Sequence, residues 1–314
     1  MLKEICITPQ VFNDKQLVNH ALNWKDVKSL LESIYLGGYI IGLNNNDWVK
    51  QVREEISQVS NQRVKDLLNN LISDLKDRNR IVGHPKGDIK PSNEEEWLTI
   101  AEDLDSLQKV YFIFATQSYL DNVTSIEELE YMKIAETFGI TGSKHYIKTD
   151  DELKKIFIPL LSYARKVTII DPYFDIAEKR YKSTLYLIAE YFKNKRGIKD
   201  SGTIYIHCSA KISIKENWKS VINDVYKKYG HIVISNVWDR KIDEIKMHER
   251  YIITDQAGIV SGAGTDKDDY QQSEWSIKDY GTLDEILRQY KENSSPFKLK
   301  AAITAITANR IEKK

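Results

Sequence analysis

One stretch of this chain concentrates residue types that can handle a phosphate ester: 247–276, MHERYIITDQAGIVSGAGTDKDDYQQSEWS. His248 and Arg250 stand two positions apart, just ahead of the β-branched run YIIT, which reads as a strand. In an extended segment, side chains two apart share a face. An imidazole beside a guanidinium suits a phosphate. The imidazole can attack phosphorus or shuttle a proton, and the guanidinium can hold two phosphate oxygens at once. The next apolar run, GIVS, ends in Gly262-Ala263-Gly264-Thr265. Small residues there would let backbone N–H groups and the Thr265 hydroxyl close on an anion.

These spacings resemble the signature of the phospholipase D superfamily: His-x-Lys, four residues, Asp, six residues, Gly-Ser, one residue, Asn. Here His248 and Arg250 are followed by four residues to Asp255, then six to Gly262, Ala263, Gly264 and Thr265, without a gap. Arg250 stands where the family has Lys, Ala263 where it has Ser, and Thr265 where it has Asn. The order of elements from 151 to 276, opening on IIDPYF, is also similar to one half of that fold.

The resemblance implies roles. His248 would be the nucleophile, forming a phosphohistidine. Arg250 would clamp the phosphate and stabilise charge in the transition state. Thr265, Gly262 and Gly264 would face the same oxygens, and Asp255 would orient its surroundings. Glu274, in QQSEW, would orient the imidazole through a carboxylate–imidazole bond. No metal and no cofactor enter this mechanism. The family pairs two signatures across a pseudo-twofold axis, and this chain carries one full copy. His207, in IYIHCSAK, does not continue the pattern. A homodimer placing two His248 side chains across one cleft would complete the site; a pseudo-dimer with one degenerate half is the alternative.

The function so implied is a metal-independent phosphodiesterase, a nuclease acting on DNA or RNA, in a setting such as prokaryotic DNA defence. The alternative is a catalytically silent module that binds phosphate groups of nucleic acid, lipid or a protein partner, or a structural subunit of a defence complex. The chain is also similar to the phospholipase D-like domain that follows the microtubule-interacting module of an ESCRT-associated protein, which binds membranes rather than cleaving substrates.

The elements that must position these residues point to an α/β fold, a mixed sheet flanked by helices. Glycines and polar residues at 139–150 suggest two domains, 1–145 and 146–314. The second alternates strands and helices: helix 151–164, strand 167–170, helix 176–194, strand 203–208, helix 215–229, strand 231–237, then Tyr251–Thr254 and Gly258–Ser261. Helices near 283–292 and 297–310 close it. Asp171 sits at a strand's C-terminal end, where α/β sheets place ligands, although Asp-Pro more often opens a turn.

The first domain reads as mostly helical α/β. Strands at Ile5–Thr8 and Val110–Ala115 accompany helices at 24–36, 47–59, 62–76, 94–107 and 125–138. With Glu32, Asp103 and Asp105, it is loosely similar to PIN-type nucleases. Their first strand ends in a metal-binding Asp; this one ends in Thr8-Pro9-Gln10, and Asp14 lies too far on. A degenerate PIN-like or helical recognition domain is the expectation.

Bulk composition sets outer bounds. The 314 residues are 41% hydrophobic and 29% charged, with 46 basic and 46 acidic side chains. Nucleic acid would therefore need a local basic patch, and KNKRGIKD (193–200) is one candidate. Cys6 and Cys208 lie in apolar runs and read as buried free thiols. His20, His84 and His145 sit in polar segments, and the default reading is surface imidazoles. No window reaches the ~18 apolar residues of a membrane span, and no signal-peptide pattern opens the chain. A cytoplasmic location is the expectation.

Overall fold

The structure, a computed structural model, describes residues 2–13, 17, 24–44, 47–83, 91–107, 110–117, 122–126, 128, 143–192, 202–211, 217–240, 247–291 and 295–304. The chain divides into two units, Met1–Thr141 and Gly142–Lys314.

The first unit is built on a parallel five-stranded sheet, ordered β3-β2-β1-β4-β5. The strands are β1 (Lys3–Ile7), β2 (Gly38–Gly42), β3 (Ile81–Gly83), β4 (Phe112–Ala115) and β5 (Val123–Ser125). Every residue of β2, GYIIG, is buried. That is the continuous apolar pattern of a parallel strand covered on both faces. Its helices are α1 (Trp24–Gly37), α2 (Asp47–Ser57), α3 (Gln62–Asp77) and α4 (Glu94–Leu107). In α3, Val64, Leu68, Ile72 and Leu75 form the buried stripe, and the Asn61 side chain caps the start by accepting from the amides of Arg63 and Val64.

This unit is less helical than its sequence suggests. β2, β3 and β5 were not anticipated. Strands of three to five residues beside glycines fall below the length at which periodicity separates strand from loop. The helix expected at 125–138 meets the end of β5 at Ser125, and residues 129–138 lie outside the described residues.

The second unit carries a mixed eight-stranded sheet, ordered β13-β9-β8-β7-β10-β11-β12-β6. Its strands are β6 (Lys144–Lys148), β7 (Lys166–Ile170), β8 (Thr203–Ser209), β9 (Ile232–Arg240), β10 (Tyr251–Thr254), β11 (Gly258–Ser261), β12 (Asp268–Lys278) and β13 (Phe297–Thr304). β7, β8 and β9 run parallel, and every other pairing is antiparallel. The helices are α5 (Asp150–Leu161), α6 (Lys179–Tyr191), α7 (Asn217–Tyr229) and α8 (Tyr280–Gln289).

Both faces of the sheet are covered. On one, Leu283 and Ile286 of α8 pack on Ile170 and Ile253. On the other, Phe157 of α5 meets Trp275 of β12 edge-on, with ring centroids 6.4 Å apart. The strand registers place Trp275 opposite in face to Ile253. The α/β class and the strand–helix alternation from β7 to β11 follow the sequence reading.

Three elements differ from it. The division after Thr141 falls within the expected boundary 139–150, but Lys144–Lys148 in that stretch is an edge strand paired with β12, so the second unit begins before residue 146. β12 is mostly polar, with only Ser273 and Trp275 buried, so it lacks the apolar alternation that marks a strand. The helix expected at 297–310 is, over 297–304, the strand β13, paired antiparallel with β9. Ala and Lys favour a helix there, but Phe297, Leu299, Ala301 and Ile303 alternate, and pairing with β9 decides. Residues 305–310 lie outside the described residues. Among the described residues, no helix is long and apolar enough to cross a membrane.

Ile253 is 1% exposed within the α8 cluster. Ile253→Ala should cost about 2–5 kcal/mol of stability, read as a lower urea midpoint with an unchanged slope.

Candidate phosphate-binding site

β7, β8 and β9 end together, and their C-terminal ends border a small cleft. Tyr173, Ser209, Lys211, Trp238, Asp239 and His248 are among its lining residues. This is where open α/β sheets hold ligands. Residues 247–250 lead into β10. The amide of Ser261 donates to the carbonyl of Arg250, so the backbone is already in ladder register at that point.

Arg250 lies over the ring of Tyr173, and His248 lines the same cleft. The His248 side chain is 79% exposed at the cleft, its Nδ1 3.9 Å from Glu249 Oε1. The Arg250 guanidinium lies over the ring of Tyr173, 5.6 Å from its centroid, and its Nη1 donates to the Gly262 carbonyl at 3.3 Å. Tyr173 is itself half exposed. Tyr173, Ser209 and Lys211 were not picked out in the sequence. Tyr173 and Lys211 follow β7 and β8, and Ser209 ends β8; their juxtaposition needs the parallel register, and the only local signal was IIDPYF ending a strand.

The small-residue turn is occupied from within. The Gly262 amide donates to the Glu274 carbonyl at 3.0 Å and the Ala263 amide to Ser273 Oγ at 3.1 Å. The Thr265 amide and hydroxyl both donate to Asp171 Oδ2, at 3.1 and 2.7 Å. Thr265 is fully buried. The expected anion contacts of Gly262 and Thr265 are therefore replaced by bonds that close the loop. Gly264 has φ +101°, and a Cβ there would sit 2.6 Å from Asp266 Oδ1, so the position needs glycine. Its carbonyl accepts from Ser261 Oγ at 2.6 Å.

Beneath the turn, the fully buried Lys148 ammonium pairs with Asp266 at 2.8 Å and donates to the Ala263 carbonyl at 3.3 Å. Arg180 reaches the other Asp266 oxygen at 3.4 Å. Asp171, at 0% exposure, also accepts from the Tyr173 amide at 2.9 Å. The carboxylate suspected as a ligand group is a brace.

Two further expectations separate from the cleft. Glu274 lies between Ser273 and Trp275, which are buried on one face, so its exposed side chain projects to the other. Among the described residues it makes no bond to His248. Asp255 sits beyond Thr254, which pairs with Val167, and its Oδ1 accepts from the amides of Arg165 and Lys166 at 2.8 and 3.4 Å. It braces the start of β7, the opposite end from His248, because β10 runs antiparallel to β7.

The other histidines divide. His207 is 5% exposed, and its Nδ1 accepts from the Trp238 indole N–H at 2.8 Å. Burial, then the nearby Lys166 charge, lowers its pKa to about 3. Buried His231 lies 3.1 Å from the Ala189 carbonyl and beside Phe192. His145 is exposed on β6. His20, His84, Asp14 and the basic run 193–200 lie outside the described residues.

In the first unit the acid that matters is Glu94, at the start of α4. It accepts from Thr8 Oγ at 2.5 Å, from the Thr116 amide at 2.9 Å and from the Thr116 hydroxyl. Thr8 and Thr116 follow β1 and β4, so the carboxylate spans the C-terminal ends of two adjacent strands. Asp105 instead accepts from the Val110 amide. Among the described residues, no group of three His, Cys, Asp or Glu is placed to hold a metal.

No family model matches the chain, and no curated protein matches it. The solved structure of TrmBL2, an archaeal chromatin protein, aligns over 90% of this chain and 98% of its own, at 15% identity and a TM-score of 0.28. A likeness at that score carries no argument.

Two measurements check this architecture. Asp171→Ala strands the three donors that converge on it, and should cost at least about 3 kcal/mol in urea unfolding. His207 gives stability a pH dependence. Unfolded, it takes a proton near pH 6.5; folded, only near about 3. Between those values the unfolded chain binds more protons, so stability should fall as pH drops through 6.5 and level off below about 3. The slope is at most about 1.4 kcal/mol per pH unit, and His207→Gln should flatten it.

Proposed function

We propose that the second unit is a phospholipase D-like module that binds the phosphodiester backbone of single-stranded nucleic acid without cleaving it. The observation that carries this reading is the stacking of Arg250 on the exposed ring of Tyr173, with His248 and Lys211 on the same cleft. A guanidinium and an ammonium neutralise phosphates, and an exposed aromatic face accepts a base without reading its identity. The chain's neutral net charge makes such a local cluster the natural contact for a polyanion.

Binding without hydrolysis fits the surroundings of His248. A phosphohistidine mechanism needs an oriented imidazole, donors on the non-bridging oxygens and a second acid for the leaving group. Glu274 faces away, and the amides and hydroxyl of the turn are spent inside the protein. One specific observation favours the hydrolytic reading: the His248 ring is exposed at the cleft and, among the described residues, makes no hydrogen bond, as a nucleophile would. In that case a homodimer would bring the second His248.

For the first unit we propose a recognition or assembly role on a degenerate PIN-like frame. The strand order and the position of Glu94 support it. Threonines rather than carboxylates stand at the ends of β1 and β4, so among the described residues the site holds one acid, satisfied by protein donors.

Labelled single-stranded DNA and RNA, incubated with the protein in EDTA, test the reading. Saturable, salt-sensitive binding is expected, weakened about tenfold by Arg250→Ala and by Tyr173→Ala, with the salt slope reduced by about one for Arg250→Ala. Binding unaffected by both variants would overturn it. EDTA-resistant cleavage lost in His248→Ala, from a species of dimeric mass in light scattering, would replace it with the nuclease.

A further inference from the structure

A second cavity of about 450 Å³ opens in the same unit, between α8 and the sheet face formed by β7, β8 and β9. Its floor is set by register. Thr168 pairs with Tyr205 and His207 with Asn236, and Tyr205 and His207 are two apart on β8, so all four side chains share one face. Its rim carries Lys166 from β7 and Arg288 and Lys291 from α8 and the residues after it, against the single acid Asp284.

The floor holds an oriented donor. Nδ1 of His207 accepts the Trp238 indole N–H, so the ring proton must sit on Nε2. His207 lines the cavity, and among the described residues that N–H makes no hydrogen bond. A ligand oxygen in the cavity is a suitable acceptor for it. Two of the rim cations, Lys166 and Lys291, repel each other. Burial and then the charge of Lys291 lower the pKa of Lys166, whose ammonium lies 4.5 Å from the centre of the Tyr205 ring. An anion between these cations would remove that repulsion.

We propose that this cavity is a binding site for a small phosphorylated ligand of mononucleotide size, its phosphate held by the Nε2–H of His207 and by Lys166, Arg288 and Lys291. The volume lies in the usual range of small-molecule sites, about 300–1,000 Å³. Asn236, beside His207, adds an amide for a second polar group. Burial keeps His207 neutral, so it serves as a fixed donor rather than a switch. Trp238 lines the His248 cleft and also holds His207, so the two sites share a wall. The assignment does not rest on the nucleic-acid reading, since none of its contacts belongs to the His248 cleft.

The indole N–H of Trp238 is a local reporter, because its bond ends on His207. The whole protein, labelled with nitrogen-15, is titrated with inorganic phosphate, pyrophosphate and adenosine monophosphate, with calorimetry in parallel. At least one probe should bind saturably and shift the Trp238 indole signal. The double variant R288A/K291A, whose changes lie on the exposed rim, should weaken binding at least about tenfold. His207→Phe should weaken it as well, and His248→Ala should leave it unchanged. No saturable response to any probe up to about 10 mM, or wild-type affinity in R288A/K291A, would overturn the assignment. So would loss of binding in His248→Ala, which would place the anion in the other cleft.

Discussion

A buried carboxylate at the end of β7 organises the second unit. Asp171 is fully enclosed, and such a group is tolerated only when donors surround it. It takes the amide and hydroxyl of Thr265 and the amide of Tyr173. Those bonds pin the loop after β11 to the end of β7 and fix the turn that presents Tyr173. Arg250 then finds an aromatic face to lie on. The adjacent pair of Lys148 and Asp266 clamps the same loop to the edge strand β6. Two acid-centred contacts thus tie one loop both to the interior strand β7 and to the edge strand β6.

That arrangement limits the chemistry. A hydroxyl donated to Asp171 cannot also be donated to a phosphate oxygen, and amides that close a turn do not form an anion nest. The donors of this loop are spent within the protein, so the loop is structural. The cations remain outside it, on Arg250, Lys211 and the rim around His207. Binding a phosphate needs charge and access, while hydrolysis needs an aligned nucleophile, acid and oxyanion donors.

The first unit shows a parallel logic. Glu94 bridges Thr8 and Thr116 at the ends of β1 and β4, the position where a parallel sheet gathers ligands. With hydroxyls and an amide as its partners, the carboxylate holds two strand ends together.

By itself, the sequence determined the α/β class, the amphipathic helices and the strand–helix alternation from Val167 to Ser261, because periodicities of 2 and 3.6 residues are local properties. It also determined that His248 and Arg250 would lie close together, since two positions along an extended chain leave little freedom. Only the tertiary structure decided where Thr265 spends its hydroxyl, 94 residues from Asp171 along the chain. It alone turned Glu274 to the other face, carried Asp255 to the far end of β7 and made strands of the polar β12 and the Ala- and Lys-containing β13. The reason is common to all of these. Hydrogen-bond partners and strand neighbours are chosen by what burial brings near, and spacing along the chain does not encode that choice.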